Sequence, residues 1–132
     1  MKDKKYKIKI SKKINITFNL KLNTLQISLY KYLLDNFLKK NSDIIEISIK
    51  KLTKEFDITE DELSQNLFCI LSLILKVEEK EMNFLNSFSL ISFFQKNTNN
   101  RLTIGIPSAI YSILLKQDKY LDVDTLLNII SD

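Results

Sequence analysis

IIEISIKKLTKEFDITEDELSQNLFCILSLILKVE, residues 44–78, reads as a short strand followed by two helices and the tight turn between them. Ser48 suits the N-cap of a helix over about Ile49 to Phe56, in which Leu52 and Phe56 stand at i and i+4. Thr59 with Glu62 three residues on makes a capping box, where hydroxyl and carboxylate satisfy backbone donors that a helix start leaves open. That box predicts a second helix from Glu60 to about Leu75. Leu63, Leu67, Ile70, Leu71 and Ile74 then fall on one face and pack against the preceding helix. The pair is a helix-turn-helix, a motif of DNA-binding proteins and also of proteins that never touch DNA.

Upstream, Tyr6, Ile8 and Ile10, then Ile14, Ile16 and Phe18, alternate with polar residues around a break at Ser11 to Lys13. Period two predicts a hairpin or one kinked strand. Lys7, Lys9, Lys12 and Lys13 point away from its apolar face, either as a solvated edge that discourages aggregation or as a phosphate-contacting arm. Asn23 or Thr24 opens a helix to about Lys40. Leu25, Leu29, Tyr32, Leu33 and Phe37 line one face while Ile27, Leu34 and Leu38 lie nearly opposite, so this helix needs cover on two sides, from the N-terminal strands or from another subunit.

Downstream, Val77 to Glu81 reads as a charged hinge and residues 88–95, FSLISFFQ, as a strand. The polar turn Lys96 to Asn100 and a second strand, Arg101 to Ile106, complete a hairpin placed where a wing belongs. Pro107 suits the first helical position of a helix to about Lys116, and Asp122 or Asp124 suits the positive end of a last one. The expected class is therefore α+β, a winged helix with extra N-terminal strands: residues 1–21 as a basic strand or arm and 22–132 as the winged-helix domain.

Composition bounds the partners. The chain has 132 residues, 45% apolar, enough for one real core. Of 20 basic and 16 acidic groups, the first 21 residues hold eight Lys and one Asp, which leaves 12 basic against 15 acidic in the rest. The body is not basic, so affinity for nucleic acid must come from the N-terminal arm and from local patches. A single cysteine, Cys69, excludes an internal disulfide and fits a reducing cytosol. No apolar run is long enough to span a bilayer and no secretory leader is visible, so the expectation is a cytoplasmic protein without a membrane partner.

Catalysis is not expected. The chain has no His, which removes the commonest general base and transition-metal ligand and with it the Tyr-plus-His-metal chemistry of DNA-nicking initiators. One Gly cannot build a phosphate-cradling loop. Carboxylates at Glu78, Glu79 and Glu81, or at Asp122 and Asp124, sit where a hinge or helix start would place solvated acids anyway; neither a cofactor nor a metal is expected.

LNTLQISLYKYLL at 22–34, ISIKKLTKEFDITEDELSQNL at 47–67 and RLTIGIPSAIYSILLKQDKYLDVDTLLNII at 101–130 carry a resemblance. Together with the order of elements they are similar to the N-terminal winged-helix domain of plasmid replication initiators of the Rep_3 (RepB) family. In that family a second winged helix makes the main sequence-specific contacts to repeated origin sites, and the first is implicated in dimerisation and auxiliary backbone contacts. The resemblance thus implies a homodimer and phosphate contacts to double-stranded DNA. The sequence ends at Asp132, so the expectation is either a first domain whose companion lies beyond that residue or a free-standing relative.

On the second helix of the pair, Gln65 with Ser64 and Asn66 beside it could meet base edges, but Glu60, Asp61 and Glu62 would repel phosphates. Lys50, Lys51 and Lys54 on the preceding helix, Lys96 and Arg101 around the wing, and Lys12 and Lys13 in the arm are the candidate phosphate contacts. Phe68, directed outward, predicts either cover by the wing or N-terminal strands or a self-association surface. The alternatives are a winged-helix transcription regulator and a winged-helix adaptor that binds protein.

Overall fold

The computed structural model describes residues 5–81 and 83–132; the first four residues of the expected basic arm lie outside that range. The N-terminal alternation forms β1 (Tyr6–Lys9) and β2 (Ile14–Phe18), an antiparallel hairpin. Asn23 then caps α1 (Thr24–Lys40), its amide and that of Gln26 closing a capping box, and Asn41 ends the helix in the left-handed conformation. β3 (Ile44–Ser48) leads into α2 (Ile49–Phe56) through the Ser48 cap, and Asp57, also left-handed, turns the chain toward α3 (Glu60–Ser72). The Thr59–Glu62 box closes as the sequence requires, with reciprocal bonds of 3.1 Å. Beyond α3 come β4 (Ile74–Glu79), β5 (Phe84–Ser89), β6 (Phe93–Lys96), β7 (Arg101–Gly105), α4 (Ser108–Leu114) and α5 (Val123–Ile130).

Leu29, Leu33 and Phe37 of α1, Leu52 of α2, and Leu63, Leu67 and Ile70 of α3 form one buried core. Ile45, Ile47, Leu102 and Ile104 close it from the wing sheet. Each such side chain taken from water contributes about 1.5–3 kcal/mol, which offsets part of the entropy lost in ordering the three helices. The wing sheet has the order β3-β7-β6, with Phe93 opposite Gly105. A Cβ on Gly105 would stand 2.9 Å from Phe93 Cδ1, so a larger residue here would have to push the exposed Phe93 ring aside.

Two expectations are corrected in the stretch after α3. The helix stops at Ser72 instead of about Leu75, and the expected hinge from Val77 is strand β4. Asn19, just past β2, is the physical cause: its amide donates to the Ser72 carbonyl and accepts from the Ile74 N–H, each at 2.8 Å. These bonds satisfy the polar groups of the transition and hand the chain to β2 as a strand. Leu75 and Val77 are then buried by alternation, not by helical spacing.

The expected strand over residues 88–95 is likewise two strands in two sheets. β5 ends at Ser89 in the sheet β1-β2-β4-β5, and β6 begins at Phe93 in the wing. Leu90 and Ile91 cross between them fully buried, and the Tyr30 hydroxyl of α1 donates to the Leu90 carbonyl at 2.8 Å. The N-terminal segment is part of this body: β2 pairs with β4, and Ile14, Ile16 and Phe18 are core residues. Pro107 stands one residue outside α4 as its N-cap, and Asp122 caps α5. At the far end Leu22 bonds Ile130 and Asp132, which ties the start of α1 to the chain's last helix.

Candidate nucleic-acid interface

Because Ile49 and Leu52 turn α2 inward, Lys50, Lys51 and Lys54 are all exposed on its other side. Among the described residues none of the three forms an ion pair. On α3 the inward set Leu63, Leu67 and Ile70 leaves Asp61, Ser64, Gln65 and Phe68 exposed. Asn66 is separate from this group. Its amide donates to the Glu62 carbonyl at 2.7 Å and accepts from Gln26 Nε2 at 3.1 Å, so it joins α3 to α1. Phe68 remains 62% exposed: neither the wing nor the N-terminal strands cover it.

The wing lies against the head of α3. Lys96 Nζ is 3.3 Å from Glu60 Oε2, and a cleft of about 90 Å³ between them is lined by Ile49, Leu63, Ser64, Phe94 and Leu102. Arg101 donates from Nε to Glu46 Oε1 at 2.7 Å and from a second guanidinium nitrogen to the Glu46 carbonyl at 3.3 Å. Lys13 pairs with Glu81 at 2.7 Å, while Lys12 is exposed in the β1–β2 turn. Such exposed pairs are worth about 0–1 kcal/mol each, so a phosphate can displace them, yet each one lowers the charge offered to DNA. The expected contacts therefore divide into free lysines on α2 and neutralised cations at the wing and the N-terminal turn.

Glu60, Asp61 and Glu62 occupy the first turn of α3, where the helix dipole stabilises them and they oppose an incoming phosphate. The titratable groups with shifted pKa values lie elsewhere. Burial raises the Tyr30 phenol well above its ordinary value. The Tyr120 phenol is raised by donating to the Glu79 carboxylate, with smaller contributions from burial and from the charges of Glu79 and Asp118. Asp122 is lowered by the backbone N–H of Thr125, the bond that caps α5. Among the described residues no three Cys, Asp or Glu side chains gather as a metal site, and no helix is long and apolar enough to cross a membrane.

Sequence reasoning misses Lys76, because it lies in a stretch that reads as helix and hinge. The alternation of Leu75 and Val77 with Lys76 and Glu78 is the signal that could have found it.

No family model matches the sequence, and no curated protein matches it. Solved structures do. The chain is similar to domains 2 and 3 of RctB, with a TM-score of 0.56 and 11% identity over 89% of this chain and 54% of that one. It thus spans about half of the RctB fragment. It is also similar to the WH1 domain of MSBI1.176, a replication protein isolated from a multiple sclerosis patient, with a TM-score of 0.50 and 10% identity over 74% of this chain and 85% of that one. The fold is a winged helix, with further strands at its N-terminal side.

Proposed function

We propose that this chain is a noncatalytic winged-helix domain of a plasmid-type replication initiator, of the Rep_3 (RepB) kind, which acts in the cytoplasm. It binds double-stranded DNA mainly through phosphates and associates as a homodimer. The observation that carries the reading is the free set Lys50, Lys51 and Lys54 beside the α2–α3 turn, on a fold shared with replication proteins. Ser64 and Gln65 supply the polar groups facing the same solvent. Dimerisation is supported by β5, an edge strand that exposes Phe84 and Leu85. The test is titration of labelled duplex DNA at low and moderate salt, with sedimentation of the free protein alongside. Salt-sensitive binding by a dimer supports the reading; a folded monomer that ignores DNA at low salt refutes it.

A second reading, an adaptor that binds protein, is favoured by the acidic first turn of α3 together with exposed Phe68. Reversing the charge of Lys50, Lys51 and Lys54 separates the two. Unchanged DNA affinity would support the adaptor. A transcription regulator shares the scaffold and is distinguished by footprinting on the protein's own promoter against an array of repeats.

A further inference from the structure

The four-stranded sheet has an inner and an outer face, and the register fixes which residues share the outer one. Ile14, Ile16 and Phe18 of β2 and Leu75 and Val77 of β4 are buried on the inner face. Their neighbours along each strand must therefore face outward. Lys7, Thr17 and Lys76 lie opposite one another in one cross-strand row, and Lys9, Asn15 and Glu78 form the next; on the middle strand Asn15 is buried and Thr17 half-buried between the flanking charged side chains. Lys7, Lys9 and Lys76 are exposed, and among the described residues none is ion-paired. They contrast with Lys13, Lys96 and Arg101, each of which is held by a glutamate. Three strands from two distant parts of the chain thus converge on one basic platform.

We propose that this outer face is a second DNA-contacting surface, in which Lys7, Lys9 and Lys76 seat a phosphate backbone and the Thr17 hydroxyl between them donates to it. The proposal rests on the reading that DNA is the partner, but it assigns contacts that the helix-turn-helix and wing do not make. Charge complementarity is the first argument: three cations face one acid, Glu78, at the margin of the platform. Lysines two strands apart are separated by about 10 Å, which long flexible stems can adapt to a phosphate track. Position is the second. β4 starts just beyond the C-terminal end of α3 while the wing touches its head, so the two surfaces are separated by the helix, about 20 Å at 1.5 Å per residue. An anionic membrane fits less well. The exposed apolar residues of this face, Ile74 and Leu85, stand at opposite ends of the β4–β5 ladder and form no patch to bury in lipid.

The test measures binding of a labelled duplex across a salt series with the full chain, a sheet variant and a helix variant. The sheet variant carries Lys7→Gln, Lys9→Gln and Lys76→Gln; the helix variant carries Lys50→Gln, Lys51→Gln and Lys54→Gln. All substituted side chains are exposed, and circular dichroism with thermal unfolding verifies folding. The sheet variant is expected to bind more weakly, with a slope of log affinity against log salt shallower by about 0.9 for each phosphate no longer neutralised, up to about 2.7. A sheet variant equal to the wild type, with only the helix variant impaired, overturns this proposal and keeps the functional reading. Weaker binding by the sheet variant alone keeps the proposal and removes the helix contacts. A wild type that ignores DNA overturns both. A sheet variant that loses only its binding to phosphatidylserine vesicles assigns the face to membrane and also overturns the proposal.

Discussion

Lys96 of the wing reaches the first residue of α3, its ammonium 3.3 Å from the Glu60 carboxylate. The pair is exposed on both sides and so contributes at most about 1 kcal/mol to stability. Its larger effect is on the potential that DNA meets, because it neutralises the wing's cation beside three acids. Glu60→Gln is expected to leave the unfolding temperature within a few degrees of the wild type and to strengthen duplex binding several-fold at low salt. A gel-shift or anisotropy titration checks this; unchanged or weaker binding would show that Lys96 does not face DNA.

Asn19 is the residue that turns α3 into β4. Its amide satisfies the Ser72 carbonyl and the Ile74 N–H, and among the described residues no other side chain bonds to either group. Asn19→Ala is expected to cost about 1 kcal/mol, read as a drop of about 4 °C in thermal unfolding. Hydrogen exchange at Ile74 should accelerate as well. An unshifted melting curve with unchanged exchange at Ile74 would remove the role assigned here.

That same residue explains what is and is not legible in the sequence. Local signals are sufficient where they are chemical: Ser48, Thr59 with Glu62, and Asn23 cap the helices that their positions predict. Alternation around Ser11 predicts strand there, as a hairpin or one kinked strand, and the pairing of β1 with β2 selects the hairpin. The run from Leu67 to Val77 is apolar at both helical and strand spacing, and what decides between them is an asparagine more than fifty positions away in sequence. Leu90 and Ile91 mislead for a similar reason. They join two strands without a turn residue, and a tyrosine from α1 holds the crossing. At the site, exposure follows from periodicity, so Lys50, Lys51 and Lys54 can be placed. The glutamates that neutralise Lys13, Lys96 and Arg101 come from other elements and cannot.

Tyr120 anchors the α4–α5 connection to β4 by donating to Glu79, and that bond raises its pKa. A phenol whose folded pKa exceeds its unfolded value, about 10, adds stability that is complete below the unfolded value. The contribution disappears as pH rises through the raised folded value. Tyrosinate absorbance followed through alkaline pH should therefore show two late-ionising phenols, buried Tyr30 and Tyr120; Tyr120→Phe removes one of them, and Glu79→Gln makes that one ionise earlier. Identical titration curves in wild type and Glu79→Gln would contradict the bond.

The role proposed for the lysines of α2, which carry no ion pair among the described residues, is read from the salt dependence of duplex binding for the wild type beside the variant carrying Lys50→Gln, Lys51→Gln and Lys54→Gln. The wild type is expected to bind at low salt and to weaken steeply as salt rises. The folded variant is expected to bind less tightly, with a slope shallower by about 0.9 for each phosphate that the missing lysines would have neutralised. A folded wild type that fails to bind at low salt, or a variant with the same affinity and slope, would contradict that role.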